Sequence, residues 1–365
     1  MKKIGKVLAG VGLLMAIIVI GFVIVVFATG SKKVLPFYNE DGSILEGSVA
    51  ERVYLDVNGQ KNGMIIRGKN EEQPVMLFLS GGPGVPEYWL NEYYENRLEE
   101  VYTVCWWDWA GEGLSYDSSL KKEELTLERL EQDACEVAEY LKERFGKEKI
   151  VLMAHSGGTR LGLKLAQSHP EHFSCYFAMG QVINKGTTRY EGGYEYLKKT
   201  FEETGDKIGL RRLNKLVKVE NGELVFLHPE SLSGDWEKLL IRAGAGTTRE
   251  MRSDALGIFF PQMFCKCYTG MEKINYWRGK ILYDDTPYHE ERISLEGEEA
   301  AVIPVYFISG AYDYTCPVQL VEQMCENLEA PDKKLFIFEN SAHSPLWEEN
   351  EKVLEVLKEY GGNCK

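Results

Sequence analysis

Three side chains in this 365-residue sequence have the types and spacing needed to cleave an acyl bond: Ser156, Asp313 and His343. A Ser hydroxyl is a weak nucleophile until an imidazole takes its proton, and that imidazole is set for the task by a carboxylate that fixes its tautomer and orientation. Each of the three stands just past an apolar run that reads as a buried strand. Ser156 follows Ile150-Val151-Leu152-Met153-Ala154-His155, and the chain continues through Gly157-Gly158 into the helical spacing of Leu161, Leu163, Leu165 and Ala166. A strand that turns through Ser directly into a helix lifts the hydroxyl above the sheet and aims N–H groups at the reacting oxygen. Such a corner needs small residues two before and two after the Ser, here Ala154 and Gly158. Asp313 lies in the loop Gly310 to Pro317 after the run Ala300 to Ser309. His343 lies in the loop Glu339 to Pro345, after the strand Lys334 to Phe338 and before a terminal helix expected over Leu346 to Tyr360. Of the six His, His155 adjoins the nucleophile but points the wrong way to serve as its base, which leaves His343.

The elements that must position these residues come in a strand-then-turn rhythm. The apolar run Val75 to Leu79 leads into Ser80-Gly81-Gly82-Pro83-Gly84, whose glycines let free N–H groups approach a ligand closely. Gly82 and Gly157 are therefore the candidate backbone donors of an oxyanion hole. A second run, Tyr102 to Trp107, ends in Asp108 to Ser115; Asp108 precedes the nucleophile in the chain and is expected to brace loops. Upstream, Arg52 to Val57 and Gly63 to Arg67 read as a strand pair joined at Asn58-Gly59 and Asn62-Gly63. Thr126 to Arg144 carries a helical apolar stripe, and Cys175 to Met179 is a sixth strand. The pattern predicts an α/β fold with a mostly parallel central sheet flanked by helices. From Gln181 to Glu299 the strand punctuation stops, and helical runs at Tyr194 to Glu203 and Leu210 to Val217 and the patch Phe259-Phe260-Pro261 mark a mostly helical insertion. Inserted after the sixth strand, it would cover the strand carboxyl ends as a cap. The expected layout is residues 34–180 and 300–365 as a core split by a cap at 181–299.

Residues 1–33 are a separate object. Val7 to Thr29 is uncharged and rich in Val, Ile and Leu, with Lys2, Lys3 and Lys6 before it. A membrane span needs about 20 apolar residues, against about 7–15 for the core of a cleavable signal. The expectation is an uncleaved single-pass anchor over 7–29 in the cell membrane, with cleavage near Ala28-Thr29-Gly30 the alternative. The amino-side lysines favour a cytoplasmic N-terminus and an extracytoplasmic catalytic body. Net charge is −14, and without the first 30 residues 39 basic face 56 acidic side chains. A body so acidic repels phosphate backbones, and nucleic acid is not an expected partner. The eight Cys fall mostly within apolar runs and read as buried small hydrophobes. Cys265-Lys266-Cys267 is too tight for the usual C-x-x-C metal spacing, and neither metal nor cofactor is expected.

The order Ser156, Asp313, His343 is that of α/β-hydrolases. Residues 50–360 resemble the proline iminopeptidase group of that fold. Ser80 to Gly84 is similar to the group's H-G-G-P-G loop, Asp108 to Ser115 to its D-Q-R-G-x-G-x-S turn, Ala154 to Gly158 to its G-x-S-x-G elbow, and Tyr312-Asp313 with Cys316-Pro317 to its acid loop. The resemblance implies a helical cap and release of an N-terminal residue, often Pro, from short peptides, with cap acids binding the free amine; Glu191 and Glu195 are possible counterparts. The sequence departs from the group at Ser80, at Trp109-Ala110, at Ala154 and at Gly157, where the group has Trp. The leading expectation is a serine hydrolase acting on small peptides or aminoacyl amides and esters. A carboxylesterase on small acyl esters and a non-catalytic surface binding protein are the alternatives.

Overall fold

A computed structural model describes residues 2–94, 96–183, 190–228, 232–284, 286–290 and 300–361. Cys364 and residues 184–189, 229–231 and 291–299 of the expected cap lie outside the described residues. The elements run α1 (Lys2–Thr29), β1 (Val49–Val57), β2 (Gln60–Gly68), β3 (Val75–Leu79), β4 (Thr103–Asp108), α2 (Leu127–Phe145), β5 (Ile150–His155), α3 (Thr159–Ser168) and β6 (Phe173–Met179). Then come α4 (Glu191–Glu203), α5 (Lys207–Leu216), β7 (Val217–Glu220), β8 (Glu223–Phe226), α6 (Leu232–Arg242), α7 (Phe260–Phe264), α8 (Gly270–Tyr283) and α9 (Pro287–Glu290). The chain closes with β9 (Val305–Gly310), α10 (Val318–Asn327), β10 (Lys333–Phe338), α11 (Pro345–Glu348) and α12 (Asn350–Gly361).

Eight strands form one sheet in the order β1-β2-β4-β3-β5-β6-β9-β10. β1 and β2 are antiparallel to their neighbours, and the rest of the sheet is parallel. β3 and β5 are buried at every position, which fits continuous apolar runs covered on both faces. Their alternation sorts the two sides. Leu77, Leu79, Leu152 and Ala154 pack with α2, α3 and α10; Met76, Phe78, Val151 and Met153 pack with α11 and α12. Helix α2 starts where Thr126 accepts from the Arg129 N–H at 3.1 Å and stops at the left-handed Gly146.

The strand pair turns at Asn58 and Gly59, both at positive φ, as a two-residue hairpin requires. The second expected turn, Asn62-Gly63, is interior to β2. Asn62 is buried and accepts from Trp107 Nε1 at 3.0 Å, so its polarity serves a core indole rather than a turn. The strand expected from Ala300 begins only at Val305, because Pro304 has no N–H to give the ladder and its carbonyl instead accepts from Tyr176. The terminal helix is broken at Glu349. Glu348 accepts from the Ala342 N–H, and Glu349 from the Asn340 N–H and the Ser341 hydroxyl. The break lets two carboxylates clamp the loop that leads into His343. Between β6 and β9 the described residues are mostly helical, with one unexpected hairpin, β7–β8, turning at Asn221-Gly222.

Within α1, Leu8–Thr29 is long and apolar enough to cross a membrane by length and composition. Among the described residues no Cys is in a disulfide, and Cys105, Cys175, Cys265, Cys267 and Cys316 are buried.

Asp108 ties the sheet to the chain before α8. Its Oδ2 accepts the Leu114 N–H at 2.8 Å and its Oδ1 the Tyr268 hydroxyl at 3.0 Å. Burial outweighs these bonds and lifts its carboxyl to about 7. The folded chain thus holds a proton that the unfolded chain releases near pH 4, so this group lowers stability as pH rises from about 4 to about 7. Asp108→Asn should remove that term: relative to the parent protein, the variant gains stability between pH 4.5 and pH 8, by up to roughly 4 kcal/mol, in urea unfolding at both pH values.

Candidate active site

The corner after β5 is forced by crowding. Ser156 takes φ +47°, a left-handed conformation that a non-glycine residue adopts at a cost of about 1–3 kcal/mol and that the surroundings must hold in place. A Cβ on Gly157 would stand 2.0 Å from the Gly82 carbonyl oxygen, and one on Gly158 would stand 2.5 Å from that of Ser80. The loop after β3 therefore lies directly against the turn after β5. The Ser156 carbonyl accepts from the Thr159 hydroxyl at 2.5 Å, and that hydroxyl in turn accepts from the Val182 N–H at 2.9 Å. From the far side of the turn, Tyr288 donates its hydroxyl to the Gly157 carbonyl at 2.8 Å. Sequence alone shows no sign of that last contact.

His343 arrives from the loop after β10 and Asp313 from the loop after β9. Nδ1 of His343 is 2.8 Å from Oδ2 of Asp313. The other oxygen of Asp313 accepts the N–H groups of Thr315 and Cys316, at 3.0 and 2.8 Å, which aims the carboxylate. Burial disfavours the His343 imidazolium, but the Asp313 charge and hydrogen bond, with Glu237 and Glu87 adding negative potential, hold its pKa above the ordinary value. Ser156 and His343 line one cavity of about 150 Å³, together with Gly81 and Gly82.

His155 is committed elsewhere: Nδ1 meets Glu87 Oε1 at 2.7 Å and Nε2 meets the His343 carbonyl at 3.0 Å. Its ring also packs beside that of His343, with centroids 4.9 Å apart. Glu191 and Glu195, the acids considered for amine binding, are exposed on α4. Two other acids act on the site. Glu87 lines the cavity, and its Oε2 is buried with no hydrogen-bond partner. Glu237, on α6, acts electrostatically on both His343 and Asp313, and burial raises its own pKa. Neither was found from sequence, because each meets the site across a long stretch of chain.

The profile of the alpha/beta hydrolase fold family matches residues 74–201. The protein named Probable aminopeptidase YbaC, from Bacillus subtilis, is 28% identical over 320 residues, covering 86% of this chain and 96% of its own. A proline iminopeptidase of Saccharolobus solfataricus is 25% identical over 303 residues, covering 81% of this chain and 86% of its own. Among solved structures, VinJ superposes with a TM-score of 0.56 at 17% identity, over 86% of this chain and 99% of its own. The chain has the α/β-hydrolase fold and is similar in sequence to proline iminopeptidases.

In this fold the Gly157 position tolerates no side chain. Gly157→Ala should drive the turn and the Gly82 loop apart and lower unfolding free energy by about 1–3 kcal/mol in thermal or urea denaturation. A variant as stable as the parent would show that the two loops are not in contact.

Proposed function

We propose that this hydrolase is a membrane-anchored serine aminopeptidase that releases N-terminal residues from short peptides. The observation that carries the reading is the His343–Asp313 pair, 2.8 Å apart, opening on the cavity that Ser156 lines. In the proposed reaction, Ser156 Oγ attacks the scissile carbonyl as His343 Nε2 takes its proton. Asp313 holds the Nδ1 proton throughout and stabilises the imidazolium. The N–H groups of Gly82 and Gly157 receive the negative oxygen. His343 then passes the proton to the departing amine, and water attacks the acyl-enzyme by the same route in reverse. Because the His343 pKa is raised, the neutral imidazole that serves as base becomes dominant only at a higher pH than for an ordinary His.

Two features favour an aminoacyl substrate over a neutral acyl ester. The unpartnered Glu87 oxygen is a buried acceptor in the cavity wall, and Glu237 adds negative potential at His343. An α-ammonium group would satisfy the first and be attracted by both. Helix α1 is read as a single-pass anchor with the N-terminus in the cytoplasm and the body outside.

Ser156→Ala should abolish turnover of aminoacyl arylamides and labelling by a fluorophosphonate probe; retained labelling of that variant would remove Ser156 from the nucleophile's role. Glu87→Gln keeps an oxygen for His155 but removes the charge. It should raise KM for an aminoacyl arylamide by about tenfold while leaving a short-chain acyl ester unaffected. Equal effects on both substrates would favour the carboxylesterase reading.

A further inference from the structure

The apolar helix α1 is not free of the body. Along Leu8–Thr29, Val26 is buried and Phe22 and Thr29 are half-buried, while every other side chain is exposed. That stripe, one residue per helical turn, packs on the segment Ala255–Phe264 and on the start of α8. The Phe22 ring stacks on Phe259 at 6.0 Å and meets Phe260 and Phe264 edge-on at 6.0 and 5.7 Å. Lys273 donates to the Val26 carbonyl and the Thr29 hydroxyl at 3.2 and 3.1 Å, so a cation from α8 satisfies a carbonyl at the end of α1. The chain after α1 is also held, with the Ser31 N–H on the Lys266 carbonyl at 3.0 Å.

These contacts fix a depth. Phe22 precedes Thr29, where the apolar run ends, by about two turns, or roughly 10 Å along the axis. If α1 crosses a bilayer, the aromatic cluster of Ala255–Phe264 lies below the level at which the span emerges. The outward face of that segment suits such a place: Leu256 is 63% exposed and Phe260 37%. The exposed cations Lys32, Lys33 and Lys266 gather where the span emerges, at the height of lipid headgroups. The inward face of the same segment belongs to the active site, since Gly257 and Ile258 line the cavity with Ser156 and His343, as does Met251. One short stretch of chain thus presents Leu256 and Phe260 outward and Ile258 to the nucleophile.

We propose that Ala255–Phe264 is inserted in the headgroup and upper acyl region of the bilayer that α1 crosses, so that the catalytic cavity opens at the lipid surface. The substrate class is then an aminoacyl amphiphile held by the membrane, its aminoacyl bond at Ser156 and its apolar tail left in the lipid. This rests on reading α1 as a span and Ser156 as the nucleophile.

The test uses the full chain in phosphatidylcholine–phosphatidylglycerol vesicles. Val23→Cys and Leu256→Cys variants carry an environment-sensitive dye, with the unsubstituted protein as labelling blank. Quenching by nitroxide on the lipid acyl chains is compared with quenching by aqueous iodide. Lipid quenching at both positions supports the proposal. Lipid quenching at Val23 with iodide quenching at Leu256 overturns the insertion while leaving the span intact, and iodide quenching at Val23 overturns the span itself. In a second arm Leu256→Asp, at a side chain outside the cavity, should slow turnover of a long-chain alkyl ester of an amino acid presented in vesicles by about fivefold or more, and leave a short soluble amino-acid ester unchanged. Equal rates of variant and parent on the vesicle substrate would overturn access from the lipid. Labelling of Ser156 by a fluorophosphonate, measured alongside, separates that result from failure of the nucleophile assignment.

Discussion

The Gly82 carbonyl occupies the space that a side chain on Gly157 would need. Adjacent parallel strands lie about 5 Å apart, and β3 and β5 are neighbours in this sheet, so the loops leaving their carboxyl ends must share that narrow gap. Two ordinary loops would splay. Glycines in both allow backbone to rest on backbone, and that contact presses the β5 turn into the strained φ of Ser156. The strain is sustained because β5 is buried throughout, while Tyr288 and Thr159 hold the two carbonyls that flank the bend. The position of Ser156 at the cavity is thus a product of the sheet's strand order.

A second close approach brings the other two residues in. A Cβ on Gly310 would stand 1.9 Å from the Ala342 carbonyl, so the end of β9 lies against the loop after β10. Asp313 and His343 descend from these two loops. The carboxylates of Glu348 and Glu349 fold back on residues 340–342, and the helix break between α11 and α12 is what frees them to do so. Gly180, at positive φ, leaves room for the His343 ring, whose Cε1 would lie 2.9 Å from an added Cβ. The same device, glycine at a strand end, therefore serves both halves of the site.

This explains what was legible in the sequence. Strand ends marked by an apolar run and a turn of glycine or other small residues are local patterns, and they located β3, β5, β9, β10 and the loops bearing Ser156, Asp313 and His343. The β7–β8 hairpin was equally local: Val217-Lys218-Val219 and Leu224-Val225-Phe226 flank Asn221-Gly222, and helical expectation for the whole region hid it. Asn62-Gly63 shows the reverse error, a turn dipeptide whose Asn was needed by Trp107, 45 positions away. Glu87, Glu237 and Tyr288 were beyond such reading, since their roles depend on partners brought close only by the finished fold.

The buried acids around the site carry a consequence for its chemistry. Asp313, Glu237 and Glu87 all favour the His343 imidazolium, against a burial that opposes it. An imidazole made more basic in this way would accept a hydroxyl proton more readily, but a smaller fraction of it is neutral at any given pH below its pKa. For a neutral ester that is a loss in slightly acidic surroundings with nothing to offset it. For a substrate bearing an ammonium group the same potential also stabilises bound substrate, so the cost to the base is recovered in binding. Under the proposed reading, the acids therefore suit an aminoacyl group better than an uncharged one, independently of which residue precedes the scissile bond.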